Sequence, residues 1–354
     1  MKIGIFDPYL DDLGGGEKYM ITLAQCLSND NNVTIFWDNK EDLKKVAQRF
    51  SLDISKITLR SNIFSPKYSF IKRCLDSLGY DAIVVLSDGS IPFLLSKKLF
   101  IHFQQPFPEI KMSLKTNFKR MRVSSFFCNS IFTKTFIDKE FKIESRVIYP
   151  PVGTNFKENK KENIILHAGR FRAVNIGFQD YKKQELMIDI FKEMVDKGIK
   201  NWKFILAVGV HETDRSKFNH LQKKAEGYPI EFLINLNYDD LGKVYSKSKI
   251  YWHASGYGEN LDKNPELAEH FGISTVEAMG AGVVPVVINA GGQKEIVENG
   301  KNGYLWQTLT DFAEKTNRLI KDVSLLNKMS KEAIMRSKIF TGDRFCREVK
   351  DTIK

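Results

Sequence analysis

Two carboxylates, Glu269 and Glu277, stand eight residues apart in EHFGISTVE, just where a loop gives way to the helix-like run TVEAMGAG. The first lies in the loop and the second one turn into the helix, so both can address one ligand over the helix N-terminus. The amides of Phe271, Gly272, Ile273 and Ser274 can meet phosphate there, and Glu277 can accept bonds from vicinal hydroxyls. Upstream, Arg170 closes the strand-like NIILHAG, and Lys182, Lys183 and Gln184 open the next helix. Two cations at strand ends make a diphosphate clamp, because charged hydrogen bonds to phosphate are the strong ones. Gly14, Gly15 and Gly16 follow the first strand, where backbone without Cβ approaches a ligand closely. Each feature has a plainer reading. The acidic loop could cap its helix, the basic pair could be a solvated turn, and the glycines could be a flexible turn.

The elements that must position these residues alternate. KIGIF, NVTIFWD, ITLRSN, YDAIVVLSDG, KKLFIHF and SFFC read as strands, with helical periodicity between most of them. After Pro150 and Pro151, which fit neither a helix interior nor a central strand, and the polar tract KENKKEN, the pattern repeats. NIILHAGRF, WKFILAVG, IEFLINL, SKIYWHAS and VVPVVI alternate with helices near 182–196 and 214–226 and at ISTVEAMGAG, with closing helices from 309. This is the grammar of parallel sheets covered by helices, and 354 residues suit two such domains. In them a ligand sits at the C-terminal strand edges or between the domains.

Composition removes several classes. With 42% hydrophobic and 27% charged residues the chain can bury real cores and is neither disordered nor fibrous. Cys26, Cys74, Cys128 and Cys346 stand far apart without a CxxC pair. That spacing argues against a disulfide framework, a thiolate zinc site and an iron–sulfur cluster, and favours a reducing, cytosolic home. The N-terminal apolar run is too short for a signal peptide or a membrane span. GxxxxGK[ST] is absent, and the glycines do not form GxGxxG, which counts against a P-loop and a dehydrogenase.

In order and spacing, GGGEK at 14–18, HAGRF at 167–171, KKQ at 182–184, EHFGISTVEAMGAG at 269–282, PVV and GG within 285–292, then EIV and NG, resemble one family. They are similar to the retaining nucleotide-sugar glycosyltransferases of the GT-B fold, family GT4, over nearly the whole chain. The resemblance implies an α/β GT-B architecture, two doubly wound Rossmann-like domains facing a central cleft. It implies an N-terminal acceptor-binding domain at 1–150, a donor-binding domain at 151–335, and a C-terminal helix at 336–354 packing back on the first. The implied enzyme is a hexosyltransferase of EC 2.4.1 type. It moves mannose or glucose from a nucleoside diphosphate sugar to a glycan or lipid-linked acceptor, with retention, in cell-surface polysaccharide or glycolipid synthesis. The donor is a UDP- or GDP-sugar, with a slight lean to GDP-mannose, and neither a cofactor nor a metal is required.

Carried onto this chain, the resemblance gives Arg170 and Lys182 or Lys183 to the diphosphate, Glu269 to the sugar, Glu277 to the ribose, and Gly15 and Gly16 to the donor site. It makes His102 the active-site histidine, whereas alone a histidine between Ile101 and Phe103 reads as packed. Two stretches depart from the pattern, the long connection FRAVNIGFQDY after Arg170 and SGYGENLDKNPELAEH before the acidic string, with His253 just ahead of the latter. A non-catalytic sugar-nucleotide-binding subunit or scaffold of the same fold is the second reading.

Charge points to partners. Of the net +11, +7 lies within 97–146, including Lys111, Lys115, Lys119, Arg120 and Arg122, with Phe118, Phe126 and Phe127 nearby. The expectation is an anionic acceptor or a peripheral contact with an anionic membrane, on the inner face of the cell membrane for a cytoplasmic protein. No recognition motif supports nucleic acid.

Overall fold

Short runs of branched and aromatic residues, such as Ala82–Leu86 and Val284–Ile288, bury every side chain, as strands covered by helices on both faces must. The structure, a computed structural model, describes all residues except 13, 111–112, 154–155, 157–158 and 172–180. Lys111 and most of the connection between Arg170 and Lys182 lie outside the described residues.

The chain divides into two units, Met1–Pro151 with Phe340–Lys354, and Val152–Ile339. Unit 1 runs β1 (Lys2–Phe6), α1 (Gly15–Ser28), β2 (Asn32–Phe36), α2 (Lys40–Phe50), β3 (Ile57–Arg60) and α3 (Phe70–Leu78). It continues through β4 (Ala82–Leu86), β5 (Lys98–Phe103), α4 (Leu114–Arg120), β6 (Ser125–Cys128), α5 (Ile131–Phe141) and β7 (Arg146–Val147). Unit 2 runs β8 (Ile164–Phe171), α6 (Gln184–Asp196), β9 (Lys203–Val210), α7 (Arg215–Ala225), β10 (Ile230–Ile234), α8 (Tyr238–Lys247) and β11 (Ile250–His253). Then come α9 (Ile273–Gly280), β12 (Val284–Ile288), α10 (Gln293–Ile296), β13 (Tyr304–Trp306), α11 (Leu309–Lys321) and α12 (Val323–Ser337). The last helix, α13 (Gly342–Ile353), belongs to unit 1.

The sheet orders are β3-β2-β1-β4-β5-β6-β7 and β10-β9-β8-β11-β12-β13, and every pairing is parallel. Counted within each unit, the first six strands of both follow the 3-2-1-4-5-6 order of nucleotide-binding sheets. The two Rossmann-like sheets are those the sequence alternation implied. The order in which strands are added reverses between β1 and β4 in unit 1 and between β8 and β11 in unit 2, the switch points at whose C-terminal ends ligands bind.

The cysteine reading needs correction. Cys26 of α1 and Cys346 of α13 are joined by a disulfide across a separation of 320 residues. Sequence spacing conceals the pair because α13 folds back onto α1, with Phe345, Val349 and Ile353 buried in the core of that unit. Each such side chain contributes about 2 kcal/mol of apolar burial. Cys74 and Cys128 are free and buried. The cysteine count therefore no longer argues for a reducing compartment. Among the described residues, no helix is long and apolar enough to cross a membrane.

Candidate functional site

β8 and β9 pair along eight residues, whereas β8 and β11 pair only at Ile165 with Ile250 and Leu166 with Tyr251. Where β8 and β11 part, the fully buried His167 fills the gap. Its Nδ1–H donates to the Trp252 carbonyl (3.0 Å), and the Gln184 amide donates to Nε2 (3.3 Å). The acceptor-only carbonyl fixes the tautomer. Burial pushes the imidazole down to about 3, so it is a neutral plug and not a proton carrier. Beyond it, Arg170 is the penultimate residue of β8, half-buried, in register with Gly209.

β11 ends in His253, which Trp306 holds by donating from Nε1 to its carbonyl at 3.2 Å. Trp306 in turn stacks on Phe312 with centroids 4.5 Å apart. The His253 Nε2–H donates to Glu269 Oε2 at 2.9 Å, and Lys182 Nζ reaches the same oxygen at 2.7 Å. Burial opposes ionisation of Glu269, but the Lys182 ammonium and the His253 hydrogen bond outweigh it and hold the carboxyl well below its ordinary range. Lys182 is likewise opposed by burial and carried upward by Glu269. The adjacent lysines part. Lys183, at φ +57° ahead of α6, turns its Nζ to Glu259 at 2.6 Å.

The loop carrying Glu269 is fixed by two glycines beneath it. Gly292 N–H donates to the Glu269 carbonyl at 2.8 Å. A Cβ on Gly291, at φ +58°, would stand 2.3 Å from that carbonyl oxygen, and one on Gly292 would stand 2.5 Å from the Phe271 Cα. Gly272, at φ +120°, turns the chain into α9. The amides of Thr275 and Val276 donate to the Gly272 carbonyl. Those of Ile273 and Ser274 precede the first intrahelical bonds and mark the positive end of the helix dipole. Ser274 Oγ lies 2.8 Å from Tyr251 Oη. Glu277, one turn in and buried, accepts from Tyr245 Oη at 3.4 Å and is hydrogen-bonded by Tyr238. The structure thus brings Lys182, Glu269 and the start of α9 together at the switch point of unit 2, with Lys183 held one residue away.

In unit 1 the glycines have an internal purpose. A Cβ on Gly16 would meet Gln104 Oε1 at 2.4 Å, and Gln104 Nε2 donates to the Gly16 carbonyl at 3.1 Å. Gly14 caps α1, its N–H donating to the Glu17 carboxylate, while Gly15 is exposed. His102 lies within β5, not at its end, and is fully buried. It stacks between Tyr19 (4.1 Å) and Phe127 (4.6 Å), and its Nδ1–H donates to the Phe127 carbonyl at 3.1 Å. Burial pushes it down to about 3. In this geometry the imidazole is packed, and its buried Nε2 has no hydrogen-bond partner among the described residues.

Sequence reasoning passed over several residues. Asp7, at the end of β1, is 2% exposed; its Oδ1 accepts Tyr9 N–H at 2.9 Å, and its buried Oδ2 has no partner among the described residues. Burial, then Glu17, push it up to about 8. The only signal was an acid directly after a buried strand. Glu259 and the two tyrosines facing Glu277 carried no spacing signal.

Residues 154–336 match the family model "Glycosyl transferases group 1". The GDP-Man:Man(3)GlcNAc(2)-PP-Dol alpha-1,2-mannosyltransferase of Dictyostelium discoideum is 26% identical over 61% of this chain, which spans only 43% of that relative's length. The alpha-1,3/1,6-mannosyltransferase ALG2 of the same organism is 25% identical, covering 93% of this chain and 92% of that protein. Among solved structures, Anabaena Alr3699/HepE in complex with UDP has a TM-score of 0.76 at 19% identity, covering 99% of both chains. The same protein in complex with UDP-glucose gives 0.73 at 20% identity and equal coverage.

Proposed function

We propose the following reading for this chain, which belongs to the glycosyl transferases group 1 family: a retaining hexosyltransferase that draws on a nucleoside diphosphate sugar held by unit 2. The observation that carries it is the convergence of Lys182, Glu269 and the start of α9 at the end of β8 and β11. Arg170, Lys182 and the amides of Phe271, Gly272, Ile273 and Ser274 neutralise the leaving diphosphate, which is the main electrostatic work of such a transfer. Without donor, Lys182 rests on Glu269; a diphosphate competes for it. Among the described residues the bonds from Lys182 and His253 to the Glu269 carboxylate fall on Oε2, and Oε1 is the oxygen that takes a sugar hydroxyl. Glu277, oriented by Tyr238 and Tyr245, takes the ribose hydroxyls. Lys183, tied to Glu259, is the outer member of the pair.

Retention proceeds by same-face attack, with the acceptor hydroxyl entering beside the departing diphosphate oxygen, which takes its proton. This reading assigns Glu269 to binding and charge, not to covalent attack, and a sugar trapped on an enzyme carboxylate during turnover would overturn it. Unit 1 receives a glycan or lipid-linked acceptor, with Gly15 and Gly16 of its glycine turn on the donor side and His102 as the active-site histidine of that unit. Divalent metal has no step in this scheme, so turnover persists in EDTA. The relative named for GDP-Man favours a GDP-mannose donor, ALG2 is likewise named a mannosyltransferase, and the UDP-glucose complex of HepE favours a UDP-hexose. The deciding experiment is a panel of UDP-, GDP-, dTDP- and ADP-sugars read by diphosphate release and thermal stabilisation. Release from one member supports the reading. Stabilisation without release favours the non-catalytic binding subunit, and neither response to any donor rejects both.

A further inference from the structure

Helix α3 is amphipathic the wrong way round for a helix that only covers a sheet. It turns Cys74 and Ser77 inward and leaves Phe70, Ile71, Leu75 and Leu78 54–70% exposed. Helix α4 buries none of its residues, and Leu114, Phe118 and Met121, spaced four and three apart, are 61–90% exposed. The two helices share one surface, because Phe93 stacks on Phe70 at 5.9 Å and on Phe118 at 6.0 Å. Half of the exposed large apolar side chains among the described residues belong to this patch. Contiguous apolar surface of this kind marks an interaction site.

Packing within the unit does not account for it. Helix α4 is tied down by charge: Arg120 donates to the carbonyls of Phe141 (2.6 Å) and Lys142 (2.8 Å), and Arg122 just beyond it donates to that of Ser96 (3.1 Å). Its apolar stripe is therefore free to serve something else. The surrounding charge says what. Lys67 and Lys72 flank the α3 face and Lys115 and Lys119 the α4 face; Asp76 of α3 is the one carboxylate in 65–79 and 113–124, against seven basic residues. Apolar side chains ringed by lysines suit the headgroup boundary of an anionic bilayer, where the stems enter the apolar layer and the ammonium groups meet lipid phosphates.

We propose that the α3–α4 face of unit 1, with Phe70, Ile71, Leu75 and Phe118 as its apolar anchors, docks on an anionic lipid bilayer. This moves the membrane contact anticipated from the basic run. Phe126 and Phe127 are core residues of β6 and take no part, whereas α3, outside that run, supplies most of the anchors. The docking stands apart from the sugar-transfer reading, since none of its residues belongs to the switch-point site.

The test is sedimentation of the full chain with vesicles of phosphatidylcholine alone and of phosphatidylcholine and phosphatidylglycerol in equal parts. The parent chain is expected to partition onto the anionic vesicles, to release in high salt, and to ignore the neutral ones. The exposed triple change Ile71→Ser, Leu75→Ser, Phe118→Ser should weaken partition about tenfold or more, and Lys115→Glu with Lys119→Glu should abolish the preference for anionic lipid. Both variants should keep the parent's thermal midpoint and its soluble diphosphate release. Failure of the parent to bind anionic vesicles, or unchanged binding by the triple variant, overturns the proposal. So does conversion of a dimer to a monomer by the triple variant without loss of vesicle binding, which would make a second copy the occupant. A donor panel that fails while vesicle binding behaves as expected removes the transfer reading and leaves the docking.

Discussion

In unit 1 the acids beside the switch point, Asp7 and Glu17, are neighbours beneath a glycine turn; in unit 2 the acid, Glu269, faces a lysine and a histidine. The strand orders match, but Asp7 is buried and Glu269 only half-buried; burial and a second carboxylate push Asp7 up to about 8, while Lys182 and His253 hold Glu269 well below the carboxylate range. At corresponding switch points, burial thus disfavours the charged form of one carboxyl, while a lysine and a histidine favour the charged form of the other. A phosphate ligand separates these roles. On the proposed reading it would compete with Glu269 for Lys182, whereas among the described residues the charged groups that shift Asp7 are all carboxylates, Glu17, Asp11 and Asp12.

The contrast breaks most readily at Lys182. Glu269→Gln should lower kcat/KM about 10²–10³-fold with the fold intact. Lys182→Met should in addition destabilise the chain by about 1–3 kcal/mol, because it leaves the half-buried Glu269 carboxylate with the His253 N–H but without its cation. Denaturant unfolding of the double variant checks this, since Lys182→Met with Glu269→Gln should recover most of the loss. Additive losses would mean that the pair does not act as one.

A smaller effect belongs to the glycines under the acidic loop. Gly291→Ala places a Cβ against the Glu269 carbonyl at a positive φ, and should cost about 2–3 kcal/mol together with turnover. Gly300, also at positive φ but with open space around it, is the control. Gly300→Ala should cost about 1 kcal/mol and leave kinetics alone. Equal costs at both would show that backbone strain, not the loop contact, matters.

The smallest change sharpens the comparison from the side of unit 1. Folding raises Asp7 above its ordinary 3.8, so the folded chain keeps a proton that the unfolded chain releases, and stability falls as pH rises from about 4 to about 8. Glu269 has the opposite sign: its contribution is present above its ordinary 4.5 and is lost as pH falls through the depressed folded value. Relative to the parent, Asp7→Asn should therefore gain a few degrees in thermal midpoint between about pH 5 and about pH 9. Parallel curves would deny Asp7 its proton.

The fold was legible because parallel strands buried on both faces are written as unbroken apolar runs, and because Pro150 and Pro151 interrupt them. Glu269 and Glu277 were legible as a pair because local spacing sets their places, a loop and one helical turn; the choice between Lys182 and Lys183 was not, since only the fold turns one to Glu269 and the other to Glu259. What spacing cannot carry stayed hidden. Glu259 reaches Lys183 from 76 residues away, His167 matters only where β8 and β11 separate, and Cys26 finds Cys346 only after α13 has folded back. Periodicity shows that α3 has an apolar face without showing which way it looks. Phe126 and Phe127 looked like partners of the lysines near them, but β6 lies inside the sheet and buries both.

The return of α13 also orders events during synthesis. Val152–Ile339 is one uninterrupted stretch and can complete its sheet as soon as it leaves the ribosome. The face of α1 that Phe345, Val349 and Ile353 cover must wait for those residues to emerge, so the domain begun first is closed last. Until then its apolar helix is exposed to chaperones, and a chain cut before residue 340 carries all of unit 2 but lacks the helix that closes unit 1.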